Sequence, residues 1–189
     1  LADYRTEQNF AEPVTAEETI RATLASLAGA LAHVLEKNGE GARRLEASFF
    51  RTDGIVRRIV IETGAAVRDP AIVMRLFREK LSAIADPLDP GFGFDLIRLS
   101  ASRAEREISE TIDFETDAKR DIRFLIDRLA ARFGAHRILA FQPNGTHIPE
   151  AAWVAIPAQY AQTPKLSWAK IRRAKESPRR PLRLFGKPE

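Results

Sequence analysis

From Ile20 to Leu35 apolar residues recur every three or four positions, at Ile20, Leu24, Leu27, Leu31, Val34 and Leu35. That spacing predicts a helix with one buried stripe. Ahead of it, Thr15-Ala16-Glu17-Glu18 has the form of a capping box, in which Thr15 accepts from the Glu18 amide and Glu18 reaches back. Gly39 and Gly41 predict the helix end. The period then changes to two. Leu45, Ala47 and Phe49 alternate with Arg44, Glu46, Ser48 and Phe50; beyond the turn residues Asp53-Gly54, Ile59 and Ile61 alternate with Arg58, Val60 and Glu62. The two runs predict a hairpin with one face turned to the helices. Asp69-Pro70 opens a second helix as N-cap and first-turn proline, with Ile72, Val73, Leu76, Phe77, Leu81 and Ile84 inward and Asp86-Pro87 as its stop. A last strand, Phe94–Ser102, turns Ile97, Leu99 and Ala101 inward and Leu96, Arg98 and Ser100 outward. With the short extended segment Phe10–Val14 in front, the order is β-α-β-β-α-β, an α+β fold with a four-stranded sheet and two helices on one face.

The pattern weakens after Arg106. An acidic stretch, Glu107 to Asp117, precedes a third helix with Ile122, Leu125, Ile126, Leu129 and Phe133 as its apolar stripe, Thr116 or Asp117 as its cap and Gly134 as its end. Its charged residues, Lys119, Arg120, Asp121, Arg123, Asp127, Arg128 and Arg132, read as a solvated face. Arg137 to Gln142 predicts a short strand, and from Ala155 onward a tail rich in proline and basic residues is expected to lack fixed structure of its own. This gives two parts: a domain over residues 1–107 and, over residues 108–189, a helix and strand too small for a separate core, with a basic partner-docking tail.

A sheet with helices on one side leaves its other side open to solvent, a second layer or a ligand. Arg44, Arg58 and Arg98 line that side, with Arg43, Arg51 and Arg57 at or near its edges. Guanidinium forks suit phosphate oxygens, and these six are the candidate DNA-binding residues. Glu46 and Glu62 share the face, so the pattern fits a solvated, ion-paired surface about as well.

Net charge does not decide between the two. Of the 189 residues, Ala161–Glu189 carries nine basic and two acidic side chains, more than the whole chain's balance of +4, so the part that folds is net acidic. The absence of cysteine excludes a disulfide scaffold, a thiolate zinc site and a thiol nucleophile. No apolar run nears the ~20 residues of a membrane helix. His33, His136 and His147 lack ligand spacing, so no metal is expected. Asp86 and Asp89 flank prolines and read as turn formers, Asp95 stands alone in a strand, and Gly91-Phe92-Gly93 reads as a turn rather than a nucleotide loop. Two-metal chemistry needs carboxylates converging on ions ~4 Å apart. Neither catalytic residues nor a cofactor are expected.

The stretch from Tyr4 to Arg106 resembles the little-finger, or polymerase-associated, domain of Y-family translesion DNA polymerases. The residues that carry this are Asn9-Phe10-Ala11-Glu12-Pro13-Val14, the long helix, the hairpin Arg43 to Thr63, the second helix and Asp95-Leu96-Ile97-Arg98-Leu99. Gly41-Ala42-Arg43-Arg44-Leu45, Arg68-Asp69-Pro70, the phrase Ala85 to Asp95, Leu125-Ile126-Asp127-Arg128-Leu129 through Phe133-Gly134, Thr146 to Glu150 and Arg180 to Phe185 are similar to the ImuB type within that family. That type is regarded as having lost polymerase activity and as acting in bacterial SOS mutagenesis.

The resemblance implies binding of duplex or primer-template DNA through the sheet, a cytoplasmic, nucleoid-associated setting, and palm, fingers and thumb ahead of Leu1. It also implies partners: a sliding clamp, an ImuA-like protein and an error-prone replicative-type polymerase. Clamp peptides of the family follow the little finger, and two segments echo them, one with Glu110, Ile112 and Phe114, the other with Leu182, Leu184 and Phe185. Arg183 stands where the family has an acid or serine. Two other readings remain open here: the little finger of an active lesion-bypass polymerase, and a protein-interaction module that does not bind DNA.

Overall fold

The computed structural model describes residues 4–84, 88–106, 114–146 and 148–161. Strand β1 (Tyr4–Val14) leads through Thr15 and Ala16 into helix α1 (Glu17–Lys37); β2 (Glu40–Arg51) and β3 (Val56–Val67) form the hairpin; helix α2 (Pro70–Ala83) and β4 (Phe94–Arg106) follow. The sheet order is β1-β4-β2-β3, antiparallel throughout. One core joins the helices to the sheet. Leu24, Leu31 and Leu35 of α1 and Val73, Leu76 and Phe77 of α2 meet Leu45, Phe49, Ile59, Ile61, Phe94, Ile97, Leu99 and Ala101 of the strands. Each large side chain so buried stabilises by roughly 1.5–3 kcal/mol. The two-period and the 3.6-period stripes therefore meet where the sequence places them.

Several boundaries differ from expectation. β1 begins at Tyr4, because an edge strand can carry the polar residues Arg5, Glu7 and Asn9 on its open side while pairing with β4. β4 continues to Arg106, paired with the first residues of β2. The N-cap of α1 is Ala16 rather than Thr15, with no side-chain cap bond; Glu17 and Glu18 instead meet the positive end of the helix dipole. Gly39, with φ of 66°, turns the chain after the helix, and Gly41 is already in β2. Asp69 caps α2 by accepting from the Ala71 N–H at 2.8 Å. Ile84 lies past the helix end in extended backbone and is exposed rather than inward. Asp86 and Pro87 lie outside the described residues.

The third helix departs most. α3 (Phe114–Phe133) starts before Thr116 and Asp117, which are therefore helical rather than capping. Ile122, Leu125 and Phe133 of the expected stripe are exposed, while Asp127, Ala130 and Ala131 are buried and Phe124 packs on the core. The helix lies against α2 and the edge strand β3, and the reason is polar. The Asp127 carboxylate accepts from the Gly64 N–H at 2.7 Å and from Gln159 Nε2 at 2.8 Å, and Gln159 Nε2 also donates to the Glu62 carbonyl at 2.8 Å. These contacts occupy backbone groups that an edge strand leaves open. Gly64 eases the approach, since a Cβ there would make a tight contact of 3.2 Å with the Gln159 carbonyl oxygen. On the other flank Arg128 Nη2 meets Glu79 of α2 at 2.5 Å. Asp127 and Arg128 are thus docking residues, not members of a solvated face.

Beyond α3, β5 (Leu139–Pro143) pairs antiparallel with β6 (Trp153–Pro157), and a 3-10 turn, Ala158–Tyr160, returns the chain to β3. The structureless tail expected from Ala155 is corrected to that extent: ordered chain continues through the turn that carries Gln159.

Candidate nucleic-acid interface

The register of the strands sets out the open face row by row. Val56, Phe50, Leu96 and Asn9 stand side by side across the sheet; the next row is Arg58, Ser48, Arg98 and Glu7; then come Val60, Glu46, Ser100 and Arg5; and Glu62, Arg44 and Arg103 close the series. Directly opposed residues share a face of the sheet. Five arginines therefore face outward with three glutamates, on strands whose other face is fixed by the core. No described helix packs over Arg44, Arg58 or Arg98.

Each of those guanidinium groups has a carboxylate beside it. Arg98 Nε lies 2.9 Å from Glu7, Arg44 Nη1 3.0 Å from Glu62 and Arg58 Nε 3.5 Å from Glu46. Arg98 also stacks over the Phe50 ring at 5.1 Å from its centroid. Arg58 is the most accessible, 66% exposed with the longest contact. Exposed pairs of this kind contribute only about 0–1 kcal/mol. They orient the forks without holding them against a phosphate, which offers the same bidentate geometry with more charge. Glu62 is further engaged by the Tyr160 hydroxyl, and that hydrogen bond, followed by burial, pushes the phenol above its ordinary pKa.

The other three candidates lie elsewhere. Arg51 is only 10% exposed; its Nη2 meets Asp53 at 2.7 Å, its Nη1 meets Asp89 at 3.5 Å, and its Nε is buried without a hydrogen bond. Gly91, in left-handed backbone, leaves room for that guanidinium, since a Cβ there would stand 2.2 Å from Arg51 Nη2. Arg51 fastens the β2–β3 turn to the loop before β4 and is withdrawn from the face. Arg57 pairs in register with core-facing Phe49, which puts it on the helix side at the exposed edge. Arg43 is 15% exposed, bonds Glu105 at 3.3 Å and lines a cleft behind the β2–β4 end. A β-bulge between Ala42 and Arg44 breaks the alternation there.

Sequence reasoning missed Arg5 and Arg103, since both stand in stretches read as lying outside strands. Their flanking polar runs, RTEQN and SRAER, carry no apolar signal. Of the clamp-peptide candidates, Glu110, Ile112, Leu182, Leu184 and Phe185 lie outside the described residues, and of Phe114 only the backbone, at the start of α3, is described. Asp89 is a turn former as expected, accepting from the Gly91 N–H at 2.9 Å. Among the described residues, no group of three His, Cys, Asp or Glu side chains could hold a metal ion, and no helix is long and apolar enough to cross a membrane.

Residues 3–114 match the impB/mucB/samB family C-terminal domain. Protein ImuB of Caulobacter vibrioides, from two strains, is 30% identical over 184 residues, which are 95% of this chain and 38% of that protein. The chain thus spans well under half the length of these relatives. A solved complex of the beta-clamp processivity factor and the little finger domain of PolIV is similar over 60% of this chain and 98% of that one, at 14% identity and a TM-score of 0.43.

Proposed function

The chain belongs to the impB/mucB/samB family through its C-terminal domain, and from that premise we propose that it is the DNA-holding part of an ImuB-like, catalytically inactive protein of translesion synthesis in the SOS response. The observation that carries this reading is the open sheet face, where Arg44, Arg58 and Arg98 stand on three adjacent strands with weak surface counter-ions. Such a face tracks a phosphate backbone and reads no base sequence.

The chain acts by holding. Four aspartates are engaged structurally: Asp53 with the Ile55 N–H, Asp69 with the Ala71 N–H, Asp89 with the Gly91 N–H and Asp127 with Gly64 and Gln159. Replacing Arg44, Arg58 and Arg98 together by Gln should weaken binding to primer-template DNA roughly tenfold or more, whatever its sequence. The slope of log K against log salt should fall by about 0.9 for every phosphate the variant no longer neutralises. An unchanged slope in fluorescence-anisotropy titrations would remove the sheet from the interface.

Partner docking is assigned to the C-terminal part. Leu139, Phe141 and Pro143 of β5 share a face with Pro157, Ala155 and Trp153 of β6, and Phe141 is 69% exposed. An uncovered apolar ribbon face of this kind marks a protein contact. A sliding clamp, an ImuA-like protein and an error-prone replicative-type polymerase are the partners proposed, with Glu110, Ile112, Phe114, Leu182, Leu184 and Phe185 as the clamp segments on their sequence alone.

A further inference from the structure

Where α3 lies beside the β3–α2 junction it encloses a cleft of about 650 Å³, lined by Arg43 of β2, Arg68 after β3, Arg106 at the end of β4 and Arg120 and Arg123 of α3. Five arginines from distant parts of the sequence line it. Among the described residues the acids in the lining are Asp69 and Glu105. Asp69 holds the Ala71 N–H as the α2 cap, and Glu105 sits between Arg43 at 3.3 Å and Arg103 at 2.7 Å. Asp127, on the α3 side, accepts from Gly64 and Gln159 and also interacts electrostatically with Arg43 and Arg123. The Arg43 Nε, beneath this lining, is buried and has no hydrogen-bond partner among the described residues. Ile72 and Phe124 supply an apolar wall, with Arg75 stacked over the Phe124 ring at 5.4 Å from its centroid.

We propose that this cleft binds the phosphodiester backbone of a single-stranded segment where it leaves the duplex held on the sheet. The inference rests on the sheet being the duplex platform. Three features select this ligand. A cavity of this size takes roughly a nucleotide or two rather than a duplex. Its lining is arginine, whose planar fork matches phosphate oxygens bidentately. The cleft adjoins the open face through Glu105, which accepts from Arg43 of the cleft at 3.3 Å and from Arg103 of the face at 2.7 Å. That adjacency favours a nucleic acid over an acidic peptide, which would have no reason to share a track with the sheet arginines.

The test compares a blunt duplex with the same duplex carrying a single-stranded thymidine overhang, titrated by anisotropy against the full chain at several salt concentrations. In Arg120→Gln/Arg123→Gln, affinity for the overhang DNA should fall about tenfold and its salt slope by about 1.4, two phosphates at about 0.7 each for a single strand, with blunt-duplex binding unchanged. Arg106→Gln, on the opposite wall, should shift the overhang DNA alone in the same direction, so that misfolding of the helix variant cannot imitate the result. Overhang binding that stays at wild-type strength in both variants overturns the proposal. So does displacement of the overhang DNA by poly-glutamate with both ligands weakened alike in the variants, which would make the cleft a peptide site. The sheet variant separates the two readings. If Arg44→Gln/Arg58→Gln/Arg98→Gln leaves the blunt duplex unaffected while the cleft variants still lose the overhang, the sheet is not the duplex platform and the cleft is a single-strand site independent of it.

Discussion

The four-stranded unit and the C-terminal part attach by different physics. Between α1, α2 and the sheet the contact is apolar, with Leu31, Leu35, Leu45, Phe49, Leu76, Phe77, Ile97 and Leu99 almost wholly buried. Between α3 and that unit, among the described residues, Phe124 and Ala131 join the core and Ala130 is buried, and fixed polar bonds add to the docking: Asp127 to Gly64 and Gln159, Arg128 to Glu79. The first kind of contact is insensitive to direction and strong in sum. The second depends on a few atoms, and it sets the position of the helix that forms one wall of the arginine cleft. The platform should therefore be robust and its C-terminal wall adjustable.

The largest effect expected from this contrast is in the core. Leu99→Ala removes a fully buried side chain from the centre of β4 and should lower the unfolding free energy by about 3–4 kcal/mol in urea titrations, destabilising all the strands together. A loss below about 1 kcal/mol would mean that the stripes do not form one close-packed core. Asp127→Ala should cost less, about 2 kcal/mol, because it leaves the Gly64 N–H and the Gln159 amide without their acceptor. Its signature is local: amide hydrogen exchange should quicken in α3 and around Gln159 while β2 and β4 keep wild-type protection. Uniform acceleration across the sheet would show instead that the two parts unfold as one.

The same contrast accounts for what could be read in advance. Alternation at Leu45, Ala47, Phe49 and Ile59, Ile61, with the helical stripes, located the sheet, both helices and the face on which Arg44, Arg58 and Arg98 stand. Apolar period is what drives that part of the fold. It misled at α3, where Ile122, Leu125 and Phe133 belong to the expected stripe but Phe124, Asp127, Arg128 and two alanines make the contact; a buried carboxylate looks like any surface acid until its partners are placed. The arginine cleft was equally hidden, because Arg43, Arg68, Arg106, Arg120 and Arg123 have no common spacing. β6 escaped notice for a simpler reason: Trp153–Pro157 is five residues long and bounded by turns, so its alternation is too brief to separate from the proline-rich tail.

The smallest effect is also the most discriminating, because two of the docking carboxyls titrate in opposite directions. Burial pushes the Asp127 carboxyl above its ordinary range, with the hydrogen bonds from Gln159 and Gly64 only partly opposing it. Its proton is therefore held more tightly in the folded chain. The stability linked to that proton is complete below the ordinary pKa of about 3.9 and is lost as pH rises through the folded value. Glu79 is the reverse: the hydrogen bond from Arg128 holds it below the usual range, so its contribution is present above the ordinary glutamate pKa and fades as pH falls through the folded one. Lowering the pH from neutral toward about 4 should accordingly widen the melting-temperature gap between wild type and Asp127→Asn and narrow the gap between wild type and Glu79→Gln. Gaps that move together would mean that one of these carboxyls is not in the docked position, and the polar account of how α3 is held would have to be given up for that residue.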